Sequence, residues 1–340
     1  YNLYRHLVIL LLVLPIVSHA QRKNLAINHQ YNFDMQRILF ERDTMAHSSM
    51  QPYIEGMTNV NDLPLIHVDS GLYYYEFTQK LWKENLFYKQ EEDYFLSFDP
   101  LGNFRMGEDV SDSLRTMFRN SRAVRIQGDL GDKFSFESFF WENQAKMPRY
   151  IAEYAATNRV LPSEGRVKQG SKADLWDFGF ASGYVSYSPK DHLNFQLGHG
   201  KQFIGNGYRS VILSDYAFNY PYIRGTWNFG GGKFQYAATY AQLSSVNRLP
   251  ESTTPEATFK KKFGTFHYLS FKPNPKLELG LFEGTTFKQY NDTLGSVPVH
   301  FSAYSPVILS SLALNGFESA NNVMLGLNAS YRIGKLTQLY

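Results

Sequence analysis

The chain contains no cysteine. That excludes disulfide scaffolds, thiolate metal sites, a cysteine nucleophile and a lipid-anchoring cysteine. An excess of one charge is also lacking. Lys and Arg total 34 against 31 Asp and Glu, a net +3 over 340 residues, too balanced for a dedicated nucleic-acid binder. Past residue 17 no run of 18 apolar residues occurs, so the rest of the chain has no membrane-spanning helix by sequence. Phosphate-binding patterns are missing too. Gly198 and Gly200 do not extend to G-x-G-x-x-G, because residue 203 is Phe, and no G-x-x-x-x-G-K-[ST] occurs. His199 has no second His at ligand spacing, and there is no Asp-rich calcium loop. Neither a metal nor a cofactor is expected.

What the chain has in excess is aromatic: 24 Tyr, 27 Phe and 4 Trp, beside a mean hydropathy of −0.36. A bundle of membrane helices would be far more apolar. The composition suits many strands with one greasy face each. At the N-terminus, Arg5 and His6 precede an apolar run from Leu7 to Leu14, then Pro15 and the small residues Ser18 and Ala20. This is the layout of a secretory signal peptide cut ahead of Gln21. An exported chain without a spanning helix can occupy a membrane only as a closed β-barrel, because lipid offers no water to unpaired backbone groups.

Residues 21–60 show no clear period and read as periplasmic linker and loop. In 68–98, apolar residues recur at Tyr74, Phe77, Leu81, Leu86 and Phe87. That spacing predicts an amphipathic helix, with Ser70 as its cap, serving as a periplasmic domain or a plug. Pro100 to Asn103 reads as a turn. From about 115 the period becomes two. Val124, Ile126 and Leu130 alternate with Arg125, Gln127 and Asp129, and similar runs recur to Ser330. The expected division is a signal peptide at 1–20, an N-terminal periplasmic or helical segment at 21–114 and a barrel at 115–340.

The alternating runs are about ten residues long, the length a tilted strand needs to cross a bilayer. Short turns at 131–132, 189–191, 230–232 and 273–275 alternate with long connections at 142–175, 199–221, 242–262 and 289–322. Outer-membrane barrels have this asymmetry. A soluble β-sandwich also alternates, but its exposed face carries Lys and Glu, whereas here the polar face is Gly, Asn, Gln, Ser and Thr. Arg125, Arg224 and Arg332 fall on that polar face. A lipid-facing Arg costs about 2–4 kcal/mol at mid-bilayer, so these three are expected to point into the lumen. The predicted fold is all-β, an antiparallel outer-membrane barrel with a small N-terminal helical plug. Some eight to ten strands are countable and none closes the ring by Tyr340, so an incomplete barrel within a longer protein is expected.

The most distinctive stretch is 193–222, LNFQLGHGKQFIGNGYRSVILSDYAFNYPY. Its aromatic faces can stack on pyranose rings while Arg, Asp and His bond hydroxyls, a layout of apolar walls with a few placed polar groups. The candidate polysaccharide-binding residues are His199, Lys201, Tyr208, Arg209, Asp215, Tyr216 and Tyr220. The competing reading is an ordinary long loop against the barrel wall.

Several ordered blocks carry a resemblance. They are Phe98-Asp99-Pro100-Leu101 with Asn103-Phe104, Gly128 to Phe136, Phe140 to Ala145, Gly183 to Tyr187, and Gly198 to Lys201 through Tyr208-Arg209-Ser210 to Asn219-Tyr220-Pro221. Over 70–245 the chain resembles the Wzi-type capsule-assembly outer-membrane proteins, in the Bacteroidetes branch that includes the gliding-motility protein RemB. The resemblance implies a monomeric outer-membrane barrel with a periplasmic helical part, loops that engage capsule or exopolysaccharide, and no catalysis. The gliding branch implies instead a surface component for movement or adhesion. The alternative function is a pore whose Arg-lined lumen sets anion preference. A barrel enzyme has little support: Ser214-Asp215 lies near His199, and Glu137 with Glu142 offers a carboxylate pair, but no G-x-S-x-G elbow accompanies them.

Overall fold

The computed structural model describes residues 23–41, 44–57, 80, 84–112, 115–170, 174–249, 259–315, 321–334 and 337–340. The expected signal peptide and most of the expected helix at 74–87 lie outside them. Twelve strands run in sequence order across one antiparallel sheet. They are β1 (Phe87–Gln90), β2 (Tyr94–Asp109), β3 (Arg115–Leu130), β4 (Phe134–Lys146), β5 (Trp176–Lys190) and β6 (Leu193–Gly200). There follow β7 (Tyr220–Phe229), β8 (Phe234–Arg248), β9 (Phe259–Asn274), β10 (Leu277–Lys288), β11 (Asn322–Ile333) and β12 (Thr337–Leu339). Lys168–Gln169 adds a thirteenth strand, paired with β5. Among the described residues the sheet does not close on itself. Among the described residues no helix is long and apolar enough to cross a membrane.

Most predicted turns fall between paired strands. Gly230, Gly231 and Gly232 all take positive φ, from 63° to 81°, the left-handed region that a side chain resists, so the chain reverses tightly from β7 into β8. The tight turns at 131–133, 191–192, 230–233 and 275–276 sit at one end of the sheet, and the long connections 147–175, 201–219 and 289–321 leave the other, where the five residues 110–114 also join β2 to β3. Three expectations fail. The sheet begins at Phe87, not near 115, and Leu86 and Phe87 belong to a loop and a strand rather than a helix. Pro100 to Asn103 continue β2 instead of turning. Pairing with β1 stops at Phe98, so Pro100 lies on an edge, the place in a sheet where proline is tolerated.

The covered face of the sheet is far more polar than that of a soluble protein, although it includes one apolar patch of Tyr222, Ala237, Phe266, Tyr268 and Phe282. The covered face presents Ser97, Asp99, Gln127, Asn194, Gln196, Arg224, Thr226 and Glu278, all buried. The opposite face presents Leu96, Phe98, Ile126, Phe134, Phe195, Leu197, Ile223, Trp227 and Leu327, all exposed. Next to the short turns the exposed face carries aromatic contacts. Phe134 stacks on Tyr187 at 4.6 Å, and Trp227, Phe229, Phe234 and Phe271 form a row at 4.6–5.1 Å. A sandwich would bury these side chains. Phe139 and Trp141, which disturb the alternation in sequence, keep strand parity and face inward, where Trp141 stacks on Phe180 at 6.1 Å.

Residues 23–41 and 44–57 pack on the inner face, so the reading of 21–60 as linker and loop is corrected. They include α1 (His29–Glu41). Asn32, Met35, Ile38 and Leu39 make its buried stripe, spaced three and four apart as a helix face requires. Lys23 bridges to Asp129 of β3 at 2.9 Å. Asn24 bonds Tyr184 of β5 and Gln196 of β6, and Lys272 of β9 donates to the Ala46 carbonyl at 2.6 Å. One short segment thus touches strands from β3 to β10, which places the sheet around it. Its contacts are mixed: Met50 packs on Tyr222, Phe266 and Phe282 of the wall, while Lys23, Asn24 and Ser48 bond the wall's polar groups.

Candidate functional site

The β6–β7 connection, 201–219, is held from below. Phe203–Ile204 pairs with Met50–Gln51, and the Gly205 amide donates to the Ser49 carbonyl at 2.7 Å. Gly205 has φ of 148°, and a Cβ there would lie 3.2 Å from Ser210 Oγ. Ser210 Oγ accepts from the amides of Ile212 and Leu213 and donates to the Ile204 carbonyl. The loop therefore closes on itself between 204 and 213 and presents Tyr208 and Arg209 at its tip.

Four of the seven sequence candidates meet there. The Arg209 guanidinium lies 5.0 Å from the ring centres of both Tyr208 and Tyr216, within cation–π range. Tyr208 packs on His29 of α1 with ring centres 4.1 Å apart. His29 Nε2 is 3.9 Å from Asp215 Oδ2. Beneath them lies a cavity of about 610 Å³ bounded by Asn32, Phe33, Gln36, Tyr208, Asp215 and Tyr340. With Arg37 and His29 also at its wall, the lining mixes rings, amides, a carboxylate and a guanidinium, a donor–acceptor set suited to a polar ligand with hydroxyls.

The other three candidates lie elsewhere. His199 sits on the outer face of β6. Its Nδ1 bonds the Ala181 carbonyl at 2.9 Å, and its ring meets Phe218 edge-on. Lys201 donates to the Ser163 carbonyl and hydroxyl at 2.7 and 2.9 Å. Burial lowers its pKa, with Glu164 and Asp215 pulling the other way. Tyr220 is buried on the inner wall against Tyr222. Sequence reasoning missed the α1 half of the site, His29, Asn32, Phe33 and Gln36. The Asn32, Met35, Ile38, Leu39 spacing was the available signal, hidden inside a stretch read as irregular.

The three arginines are on the inner face, but differently placed. Arg224 is fully buried and donates to Gln202 and to Gln196, the latter at 2.9 Å. Arg332 is 5% exposed. Arg125 is held by Glu137 at 2.9 Å and Gln127 at 2.7 Å. Glu137 and Glu142 are five residues apart on one strand and point to opposite faces, Glu142 meeting Arg122 on the exposed side. They cannot share a substrate. Among the described residues no cluster of His, Asp and Glu could hold a metal ion. No family model, curated protein or solved structure matches this chain.

Proposed function

We propose that this chain is part of an outer-membrane β-barrel of non-enzymatic function that displays a polysaccharide-binding surface. The carrying observation is the contrast between the faces: Phe195, Leu197, Ile223, Trp227 and Leu327 exposed, Gln196, Arg224 and Thr226 buried. In water, exposing these apolar side chains is unfavourable by roughly 25 cal/mol per Å². In lipid it is the favoured arrangement, and the aromatic row beside the short turns fits a membrane-interface girdle. The reading requires more strands. Among the described residues β2 beyond Phe98 and β11 before Tyr331 each lack a neighbour on one side, and an open edge is not tolerated in lipid.

The His29–Tyr208–Arg209–Tyr216 cluster supports sugar binding at the long-loop end, the side that faces outward from the cell when the short turns are periplasmic. The partner is surface polysaccharide, capsule or exopolysaccharide, in line with the Wzi-like resemblance. A role in gliding or adhesion uses the same surface. The protein acts as a monomer in this reading. A pore is the second reading, supported by the three inner-face arginines. It requires residues 23–57 to leave the inner face, because that segment covers Arg224.

Two measurements test the proposal. The protein is expected to need detergent to stay monodisperse, and monodispersity in plain buffer overturns the membrane assignment. Purified protein is expected to be retained on immobilised bacterial exopolysaccharide, with Tyr208→Ala or Arg209→Ala weakening retention about tenfold, or about 1.4 kcal/mol. Equal retention of both variants removes the sugar site.

A further inference from the structure

The connection from β10 to β11 does not project away from the sheet. Residues 297–315 fold back as a strap over the outer face of β8, β9 and β10. Beneath it the outward-facing wall turns polar. Glu283, His267, Thr265 and Thr285 are each at most 1% exposed. Each has a job toward the strap or lies under it. Thr265 Oγ1 donates to the Ala303 carbonyl at 2.6 Å, Tyr240 to that of Ser305 at 3.1 Å and Tyr236 to that of Pro306 at 2.7 Å. The amides of Leu309 and Leu312 donate to the Glu283 carboxylate. An irregular backbone cannot lie in an apolar medium unless its polar groups are bonded. The wall supplies those bonds.

The strap's far side has the opposite character. Val299 and Ala303 pack inward with Phe263 and Phe287, while Phe301, Val307 and Leu314 are 87%, 61% and 67% exposed. From Thr293 to Asn315 there is no Asp, Glu, Lys or Arg. At the chain's 19% charged content a stretch that long would carry roughly four. The β4–β5 connection instead has Arg149, Glu153, Arg159, Glu164, Arg166 and Lys168. A water-exposed loop has no reason to shed every formal charge and turn its apolar side chains outward.

We propose that the strap is a membrane-contact element, lying in the interfacial zone of the outer leaflet with Phe301, Val307 and Leu314 against lipid, so that it replaces the strands as the lipid face over β8–β10. This rests on the barrel reading above. The occupant is lipid because the strap continues the exposed apolar wall of Ile223, Trp227 and Leu279 and carries no charge to pair with a protein surface.

The lack of cysteine permits a direct test. Single variants Phe301→Cys, Val307→Cys and Leu314→Cys are labelled with an environment-sensitive fluorophore in the full chain and reconstituted into phosphatidylcholine vesicles. Phe195→Cys on the outer wall and Glu153→Cys on α2 (Arg149–Asn158) serve as lipid and water references. Strap labels are expected to lose most of their emission to a lipid nitroxide placed about 5–10 Å below the headgroups, and to resist aqueous iodide. Iodide quenching equal to that at Glu153→Cys overturns the proposal. So does protection from both quenchers, which would mean a second copy or another protein covers the strap. If Phe195→Cys also behaves like Glu153→Cys, the membrane reading itself has failed; if Phe195→Cys is lipid-quenched and the strap is not, only the strap assignment has.

Discussion

Strand β10 carries two buried glutamates five residues apart, and they face opposite ways. Glu278 points inward. It accepts from the amides of Ser48 and Ser49, from both their hydroxyls, and from Ser270 at 3.0 Å. Glu283 points outward and accepts from the amides of Leu309 and Leu312. Both clasp an irregular segment to the wall by its backbone, so the shared chemistry is a carboxylate offered to orphan N–H groups. The difference lies in what completes the shell. On the inner side it is the hydroxyls and amides of Ser48 and Ser49 and the Ser270 hydroxyl, beside an apolar patch in which Met50 packs on Phe266 and Phe282. On the outer side it is carbonyls bonded to Tyr and Thr, with an apolar exterior beyond. The contrast separates the two faces more sharply than the strand pattern alone.

The largest effect is expected inside. Glu278→Ala strips a buried anion from at least five donors, and leaves Lys272 buried without its counter-charge. Loss of one partner of such an arrangement costs about 3–5 kcal/mol. Urea unfolding in detergent should show it, with new protease cleavage at 44–57. The same variant tests the pore reading. If residues 23–57 block a channel, planar-bilayer conductance rises in Glu278→Ala and is absent from the parent; conductance steps in the parent would mean the inner segment is no plug. Outside, Glu283→Ala leaves two amides unsatisfied and should cost about 1–3 kcal/mol, read as cleavage within 289–321 while 44–57 stays protected. Cleavage of both segments in either variant would show that the two clasps are one cooperative unit rather than two.

Much of the wall was legible in the sequence, and the reason is the period. In β7, Tyr222, Arg224 and Thr226 alternate with Ile223, Gly225 and Trp227, and a period of two survives whichever face is buried. Arg125, Arg224 and Arg332 share the covered face by the same parity. The two clasped segments were not legible, because neither has a period to announce it. Residues 44–57 mix polar and apolar side chains without a period, and 297–315 are apolar without strand or helix rhythm. Each is specified by partners more than 220 or about 30 residues away, Glu278 and Glu283, which look in sequence like unremarkable strand residues. At the candidate site, Tyr208, Arg209, Asp215 and Tyr216 could be named because one loop carries them, and His29 could not because α1 arrives from the other end of the chain.

Smaller effects sharpen the comparison through single hydroxyls. Inside, Tyr268 donates to Ser49 Oγ at 2.7 Å and accepts from Asn328 at 3.3 Å. Outside, the Tyr236 hydroxyl serves the Pro306 carbonyl, with His267 Nδ1 also 2.7 Å away. Tyr→Phe at either position should cost about 0.5–1.5 kcal/mol. Tyr268→Phe is expected to loosen only 44–57 and Tyr236→Phe only the strap, as hydrogen exchange of each segment would report. Exchange that rises in the wrong segment would break the assignment of each face to its own clasp.

The smallest effect is a pH dependence, and it should belong to the inner clasp. His47 Nε2 donates to the Gly232 carbonyl at 3.1 Å, and Nδ1 meets Ser270 Oγ at 2.7 Å. Burial holds its pKa below the ordinary histidine value; Glu278 and the Gly232 bond raise it and Lys272 lowers it further. A histidine depressed in the folded state is protonated first in the unfolded one. Its contribution is therefore complete above the unfolded value, about 6.5, and is lost as pH falls below that through the folded value. Protection of 44–57 should decline over that window, and His47→Gln, which keeps a hydrogen-bonding group but cannot titrate, should flatten the decline. A decline that persists in His47→Gln would move the titration to another group and leave the clasp's strength resting on Glu278 alone.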